Sequence, residues 1–310
     1  MGGRVMANHV KAGDTTGKDV HPEKRGGIAP GEITDVLTPP EMMSSTIEAA
    51  VAKSNYSALL IFVKSFLCTG FLGYATAFSF LAVAQGMPQF VSGLLFPVGY
   101  VMVAILGLEM ATGNFSVMGM GVVARRIRVG QLLSNWGMTL LGNLIGGVVF
   151  AAILWIVITR AGNTAGGGLL GAQLMKVAEH KVAYKELGGT GLLVAFASGI
   201  LCNWLVSLGP IISLASRSIV GKVVVLWLPF SVFFALGFEH AIVNMFLLPM
   251  GIMLGGNYSV ADWWMWNQIP VTLGNITAAL VFNSGLLYFA SKPKIARLTP
   301  EGAGGEYKTG

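Results

Sequence analysis

The sequence predicts an all-α integral membrane protein with six transmembrane helices, arranged as two inverted repeats of three, with helices 2 and 5 interrupted. The first observation is composition: of the 310 residues, 54% are apolar and 11% are charged, whereas soluble domains carry roughly 25% charged residues. The second is a series of long uncharged runs, and the third is a polar motif found once in each half. This composition argues against a soluble enzyme, a disordered chain and a nucleic-acid-binding protein, despite the net charge of +6.

The uncharged runs locate the spans. Residues 57–291 contain only ten Lys/Arg and five Asp/Glu, and a helix needs about 20 apolar residues to cross the hydrocarbon core. A membrane β-barrel would instead show alternating segments of about 10 residues. The runs cover 65–108, 129–159, 187–216, 241–261 and 263–291.

The first half opens with residues 1–40, a tail rich in Gly, Pro and charge that is predicted to be disordered and cytoplasmic. A short amphipathic helix at 42–53 is expected to lead in at the membrane surface. The apolar stretches that follow cover 57–84, 89–123 and 132–159.

The second half follows a long polar connection at 160–186, which contains a run of three glycines. Its apolar stretches cover 189–208, 223–254 and 271–290. The six-span membrane domain is therefore predicted at 41–291, followed by a cytoplasmic tail at 292–310.

Basic residues predict the topology. Six crossings place both termini on one side, and 15 of the 20 Lys/Arg lie there, so both termini are predicted to be cytoplasmic. The connection places Arg160, Lys176, Lys181 and Lys185 on the opposite side, against the rule. Lys64, within the first span, can extend to the interface and is assigned no role.

The second and fifth stretches share an unusual pattern. Each exceeds 30 residues, near 50 Å as one straight helix, while the hydrocarbon core is about 30 Å thick. Each contains Glu, four residues and Asn: Glu109 to Asn114, and Glu239 to Asn244. Each stretch is the second of three spans in its half. Because each half has an odd number of spans, the two halves have inverted topology. Interrupted helices at corresponding positions indicate a transport site near the midplane, and half-helix amino termini favour an anion there.

Ionisable residues within the spans are the functional candidates. His240 is interpreted as a pore-facing imidazole that hydrogen-bonds or protonates a passing anion; the alternative is a buried neutral imidazole satisfied by the backbone. A carboxylate on an anion path would repel its substrate. Glu109 and Glu239 are therefore expected to be structural, each accepting hydrogen bonds from exposed backbone N–H groups at its helix break, with direct proton relay as the alternative.

Other chemistry finds little support in the sequence. There is no Gly-rich phosphate loop and no Ser, His and Asp placed together in one polar site, so neither an enzyme nor a cofactor is predicted. Two of the four histidines, His9 and His21, lie in the tail, which argues against a metal site. Cys68 and Cys202 lie in apolar runs and are interpreted as packing residues.

Four motifs together resemble the formate/nitrite transporter family, over roughly residues 40–291. They lie at 107–114, 201–206, 237–245 and 269–276. The resemblance implies an aquaporin-like fold, although Asn-Pro-Ala does not occur, and a homopentamer with one pore per subunit. It also implies passage of small monovalent anions of weak acids: formate, nitrite, hydrosulfide and, in some members, acetate or lactate.

The resemblance also assigns pore residues. His240 matches the central pore histidine, and Thr112 matches the threonine that can hydrogen-bond it. Asn203 and Asn244 match polar positions of the motifs, and are predicted to contact substrate or to bond neighbouring helices.

A vestibule lysine that attracts anions is implied in the connection before the fourth span. Lys181 matches its local sequence, whereas Lys185 matches its distance from Asn203. Lys181 is favoured, with Lys185 left as the alternative.

The resemblance places the apolar constrictions at Phe96, Tyr100, Met110 and Phe233. Tyr100 replaces a typically aliphatic residue, so a hydroxyl enters the narrow zone. The pair Met110-Ala111 replaces a usual Leu-Phe pair, which predicts a wider pore.

The functional hypothesis is a channel or transporter for formate, then nitrite, that is proton-coupled through His240. It is placed in the plasma (inner) membrane of a prokaryote, with the anion, H+, membrane lipid and other copies of itself as partners. The alternatives are a hydrosulfide or short-chain carboxylate channel of the same fold, a pH-insensitive facilitator of a neutral solute, and a non-transporting membrane scaffold.

Overall fold

The computed structural model describes residues 36–291; the predicted tail residues 1–35 and 292–310 lie outside the described residues. Between them the regular structure is helical, apart from one isolated bridge between Val36 and Ser216. The α-helices are α1 (Pro39–Ser54), α2 (Ala58–Ala84), α3 (Gln89–Leu95), α4 (Pro97–Ile105), α5 (Ala111–Val123), α6 (Val129–Thr159), α7 (Gly168–Val182), α8 (Gly189–Val206), α9 (Gly209–Ile212), α10 (Ile219–Ala235), α11 (Ala241–Met253), α12 (Val260–Trp263) and α13 (Ile269–Ala278). Short 3₁₀ turns occupy Ala165–Gly167, Ala183–Leu187 and Ser213–Ala215, and π-helical segments occupy Trp264–Gln268 and Ala279–Leu287.

Helix α1 confirms the short helix predicted at 42–53 and begins three residues earlier. Thr38 caps it: the Thr38 N–H donates to Glu41 Oε2 over 2.7 Å, and Pro39 suits the first turn because its missing N–H would be unpaired there. One face, with Met43, Ile47 and Ala50, is buried. This helix therefore packs against protein and places its last turn close to the helix breaks described below.

The first-half spans begin and end close to their predicted positions. Helix α2 starts after Ser57, whose Oγ accepts the Leu60 N–H over 3.2 Å. The stretch at 89–123 is broken as predicted, into α3, α4 and α5, and residues 106–110 carry no regular helix. Helix α6 begins at Val129 rather than at 132.

The second half departs from the prediction in two places. The connection at 160–186 contains α7, whose buried face (Gly171, Leu174, Ala178 and Val182) repeats every three or four residues, so this segment is a packed helix. The last apolar helix, predicted to start at 271, starts at Val260 and continues to Ser291. The acidic Asp262, which breaks the uncharged run, belongs to its amino-terminal cap, because its backbone N–H donates to Ser259 Oγ over 3.1 Å.

Among residues 36–291, four helical stretches, with adjoining helices taken together, are long and apolar enough to cross a membrane: Ala58–Ala84, Val129–Thr159, Gly189–Ala215 and Val260–Ser291. Shorter apolar helices occupy Gln89–Ile105, Ile219–Ala235 and Ala241–Met253. Large apolar side chains face outward along these elements, for example Leu59, Val157, Leu193 and Leu228, each more than 60% exposed. An outward apolar surface of this extent is expected of helices in lipid or at an interface.

Glycines of α6 allow the backbones of α6 and α2 to come into contact. A Cβ on Gly146 would overlap the Phe66 carbonyl oxygen, and one on Gly142 would lie 2.7 Å from the Phe62 carbonyl oxygen. Small residues at such crossings are the usual means of close packing in membranes, where no hydrophobic force joins helices.

Gly146→Ala should therefore destabilise the protein by about 1–3 kcal/mol, because the added methyl overpacks the contact between α6 and α2. The measurement is the thermal midpoint of the detergent-solubilised protein. Gly137→Ala is the matched control in the same helix, since a Cβ added there would meet nothing within 4 Å; its midpoint should stay the same or rise. Equal midpoints for the two variants would contradict the close contact.

Candidate functional site

The two helix breaks have the same backbone geometry. Gly107 and Gly237 have φ values of 62° and 70°, a left-handed conformation that glycine adopts without a Cβ clash. Each break is followed by a helix whose first N–H has no partner within the helix. That N–H donates to an asparagine of another helix. Ala111 donates to Asn143 Oδ1 and Ala241 donates to Asn275 Oδ1, each over 3.0 Å.

Asn143 and Asn275 also make matching hydrogen bonds through their amide nitrogens. Asn143 Nδ2 donates to the Glu109 carbonyl over 3.2 Å and to the Ser65 carbonyl over 2.8 Å. Asn275 Nδ2 donates to the Glu239 carbonyl over 3.1 Å and to the Gly199 carbonyl over 2.8 Å. Each asparagine therefore joins both sides of a break to a neighbouring span.

Glu109 is buried and paired. Lys53 Nζ lies 2.5 and 2.6 Å from its two carboxylate oxygens, and Asn114 Nδ2 donates to Oε2 over 2.7 Å. A carboxylate at this depth requires a countercharge and hydrogen bonds. The prediction that this carboxylate accepts backbone N–H groups at the break is wrong, because its donors are side chains and the Ala111 N–H donates to Asn143 instead. Its structural role stays a prediction.

Glu239 has a matching lysine and asparagine and two further donors. Lys181 Nζ lies 2.9 Å from its Oε2, and Asn244 Nδ2 donates to the same oxygen over 2.7 Å. The further donors are Asn267, whose Nδ2 donates to Oε2 over 3.1 Å, and Tyr184, whose hydroxyl donates to Oε1 over 3.1 Å. Burial, followed by the negative charge of the glutamate, raises the pKa of the Tyr184 phenol, so the phenol remains a donor.

His240 and Thr112 meet where the two broken helices begin. Their side chains are buried, with Nε2 and Oγ1 3.0 Å apart. His240 Nδ1 accepts the Val243 N–H over 3.1 Å and so caps α11. A nitrogen that accepts cannot carry a proton, so this hydrogen bond assigns the proton of the neutral ring to Nε2 and makes it a donor to Thr112. A doubly protonated ring would place two donors face to face at Val243.

Asn203 and Asn244 lie deep in the same region. Asn203 Nδ2 donates to the Asn275 carbonyl over 2.7 Å and to the Thr112 carbonyl over 3.3 Å. Its Oδ1 and that of Asn244 are buried and find no hydrogen-bond partner among residues 36–291. Both side chains therefore bond neighbouring elements through nitrogen and keep an acceptor free.

An aromatic cluster lies beside the His240–Thr112 pair. Phe233 lies 5.4 Å, centroid to centroid, from both the His240 ring and the Phe96 ring. Tyr100 stacks on Phe230 at 3.7 Å. The predicted constriction residues Phe96, Tyr100, Met110 and Phe233 are all buried. Phe230 was missed, since its stretch contains several phenylalanines and no spacing singles it out.

Two cavities near the helix breaks have no lining residue in common. The Glu109 cavity holds about 250 Å³ and is lined by Lys53, Lys64, Tyr100, Glu109 and Met110 among others. The Glu239 cavity holds about 490 Å³ and is lined among others by Lys181, Tyr184, Phe233, Glu239 and His240. Of the predicted constriction residues, Tyr100 and Met110 line the first cavity, Phe233 lines the second and Phe96 lines neither. Each cavity contains one lysine–glutamate pair.

The predicted vestibule lysines differ in placement. Lys181 lines the Glu239 cavity and pairs with Glu239. Lys185 is not among the lining residues and lies 3.8 Å from Asp262 Oδ2. Sequence reasoning missed Lys53 and Tyr184. The repeat itself could have indicated Lys53, which precedes Glu109 as Lys181 precedes Glu239, each by just under 60 residues.

The family model described as "Formate/nitrite transporter" matches residues 40–290. The chain is 31% identical to the formate channel FocA of Haemophilus influenzae, over 79% of this chain and 91% of that protein. It is 36% identical to a probable formate transporter of Methanothermobacter thermautotrophicus, over 66% of this chain and 76% of that protein.

Solved structures are also similar to the chain, two of them as follows. One is described as an FNT family ion channel, with a TM-score of 0.70 and 26% identity, covering 81% of this chain and 98% of the other. The second is a pentameric formate channel with formate bound, with a TM-score of 0.63 and 31% identity, covering 76% and 98%.

Lys53→Met should destabilise the protein by about 3–5 kcal/mol, because it leaves Glu109 buried without a countercharge. Lys53→Met/Glu109→Gln should recover most of that loss, since glutamine still offers an oxygen to Asn114. Thermal unfolding in detergent measures both. Lys185→Met, at an exposed pair, is the control and should cost less than about 1 kcal/mol. A double variant as unstable as the single one would contradict the pairing.

Proposed function

Because the chain belongs to the formate/nitrite transporter family, we propose that it is a membrane channel or transporter for a small weak-acid anion, with formate first and nitrite second. The observation that carries this is the His240–Thr112 pair, buried beside an aromatic cluster between two cavities that each hold a lysine–glutamate pair. Its relatives carry the names of channels and transporters, so its activity is transport and not catalysis.

The proposed architecture has six spans in two inverted repeats, in which α3–α5 and α10–α11 form the broken spans. The matching bonds at the two breaks support a repeat. The proposed assembly is a homopentamer, supported by the pentameric relative and by the outward apolar side chains. Both termini are proposed to be cytoplasmic, in the plasma membrane of a prokaryote, so that the Glu109 cavity opens inward and the Glu239 cavity outward.

Entry of the anion depends on the charge of each cavity. Lys181 is proposed to raise the anion concentration in the outer cavity, with Lys53 as its inner counterpart. Each lysine lies beside a glutamate, so its field is short-ranged. The dipoles of α5 and α11, whose amino termini begin at the breaks, add positive potential at the centre.

The proton step follows from the hydrogen bonds of His240. The ring presents Nε2–H and cannot take a second proton at Nδ1 without releasing the Val243 N–H. The proton that neutralises the anion is therefore proposed to come from water, while Nε2–H and the Thr112 hydroxyl hold the anion in place. The neutral acid then passes the aromatic constriction and releases its proton on the far side, which balances as one anion and one proton moved together.

The glutamates are proposed to be structural and not proton relays. All the donors around Glu109 are lysine or amide groups, and Glu239 adds only a phenol. Removing either carboxylate would leave a lysine unpaired near a helix break.

Formate uptake into proteoliposomes should rise as the outside pH falls from 8 to 5. His240→Phe and His240→Asn should each lower this uptake about 100-fold, because both remove Nε2–H. His240→Asn should keep the fold, since asparagine is a good helix N-cap and can still accept the Val243 N–H. Nitrite and hydrosulfide are offered in parallel to rank the substrates.

Unchanged pH-dependent uptake in His240→Asn would contradict the coupling through His240. A potential-driven current that persists in this variant would indicate a channel for the charged anion, with the histidine tuning selectivity alone. Flux that depends on neither pH nor membrane potential would indicate a facilitator of a neutral solute.

Lys181→Gln should raise the KM for formate offered from outside about 3- to 10-fold, because the outer cavity then holds an uncompensated carboxylate. Lys181→Gln/Glu239→Gln, which restores neutrality, should recover part of this loss. Lys185→Gln should leave the KM within twofold, since the residue does not line the cavity. A larger effect from Lys185→Gln would reverse the assignment.

A further inference from the structure

Once the matched pairs are set aside, each cavity keeps one lysine, and the two lysines differ in burial. In each, a lysine and a glutamate cancel: Lys53 with Glu109, and Lys181 with Glu239. The Glu239 cavity is otherwise lined by the exposed Lys176 and by histidine side chains. The Glu109 cavity keeps one further cation, half-buried in its wall.

That cation is Lys64, from the second turn of α2. It lines the cavity together with Glu109 and Met110, and it has no carboxylate within ion-pair distance among residues 36–291. Its ammonium instead lies 4.8 Å from the centroid of the Tyr56 ring. The ring faces the same cavity.

A cation over a ring differs from a cation beside a carboxylate. The ring quadrupole attracts the ammonium but carries no net charge, so the lysine remains a full positive charge towards the cavity. A lysine ammonium has three N–H donors, and the ring takes up none of them as a conventional hydrogen bond. The aromatic side chain thus orients Lys64 without neutralising it.

A permeant anion in this cavity meets one uncompensated charge. Lys53 lies 2.5 Å from Glu109 and offers little net field at a distance, whereas Lys64 supplies a net charge of one. A charged group in a cleft with low-dielectric walls focuses its field into the cleft and raises the local concentration of counter-ions.

We propose that Lys64, oriented by Tyr56, is a docking residue for a small monovalent anion in the Glu109 cavity and sets the affinity for the anion on that side of the membrane. This inference rests on the proposed function. On the other side the remaining lysine, Lys176, is exposed, so solvent and salt screen its field more strongly than that of Lys64.

The test compares initial rates of formate flux in membrane vesicles of both orientations. The wild type is measured beside Lys64→Gln and Lys64→Arg, and beside Lys222→Gln, a charge-matched control on α10 that lines neither cavity. Lys64→Gln should raise the KM for formate about 3- to 10-fold in one vesicle orientation only, with the maximal rate within twofold. Lys64→Arg and Lys222→Gln should keep the wild-type KM on both sides.

Ionic strength supplies an independent readout. Raising the salt concentration should weaken the wild-type affinity on the Lys64 side, because the field of a partly exposed charge is screened. The same salt should change the KM of Lys64→Gln much less. Tyr56→Leu should shift the KM in the same direction as Lys64→Gln, by a smaller factor.

The outcomes separate the two hypotheses. Wild-type vesicles that carry no more formate than empty ones would overturn the proposed function and this inference with it. Wild-type flux with an unchanged KM in Lys64→Gln, or with equal shifts on both sides, would overturn this inference alone. A Lys64→Gln protein with altered stability and an unchanged KM would assign the lysine to the lipid interface instead.

Discussion

The need to satisfy backbone polar groups in hydrocarbon governs the centre of this protein. A non-helical backbone at membrane depth is tolerated only where protein or water satisfies it, and both broken spans leave N–H groups unpaired at the start of a helix. Asn143 and Asn275 meet that need from outside the broken spans. The buried glutamates bond the asparagines five residues further on, and each glutamate in turn requires a lysine.

This scaffold determines what a permeant molecule meets. Near the constriction the His240 Nε2–H already donates to the Thr112 hydroxyl, so a permeant molecule competes with a hydrogen bond of the protein. Burying an ion costs an effective several kcal/mol in a real protein, and a single charge 4 Å away returns about 4 kcal/mol at an effective dielectric constant of 20. Protonating a carboxylic acid with a pKa near 4 costs about 4 kcal/mol at pH 7, which is of the same order as the cost of burying the bare anion.

Hydropathy and charge predicted where the long apolar helices lie, because lipid imposes length and polarity directly on the sequence; the count of six spans stays a prediction. The helix breaks were also predictable, since Glu109 and Glu239 have no other reason to lie inside apolar stretches. Helix α7 was not predicted, because a polar connection that packs on protein carries no hydropathy signal. Lys53 and Tyr184 were missed for a related reason: their partners lie more than 50 residues away, and only the fold brings them together.

The residues that recur at both helix breaks have different roles from those found in one half alone. The asparagine, glutamate and lysine set recurs at both breaks, and a change there would leave a buried charge or an open N–H group, so it has little freedom to vary. Lys64 with Tyr56 on one side and Tyr184 on the other lie outside that shared set. Substituting them alters the charge or the donors of a cavity and leaves the helix breaks satisfied. The side chains of the two cavities can therefore differ while the two helix breaks keep their matching hydrogen bonds.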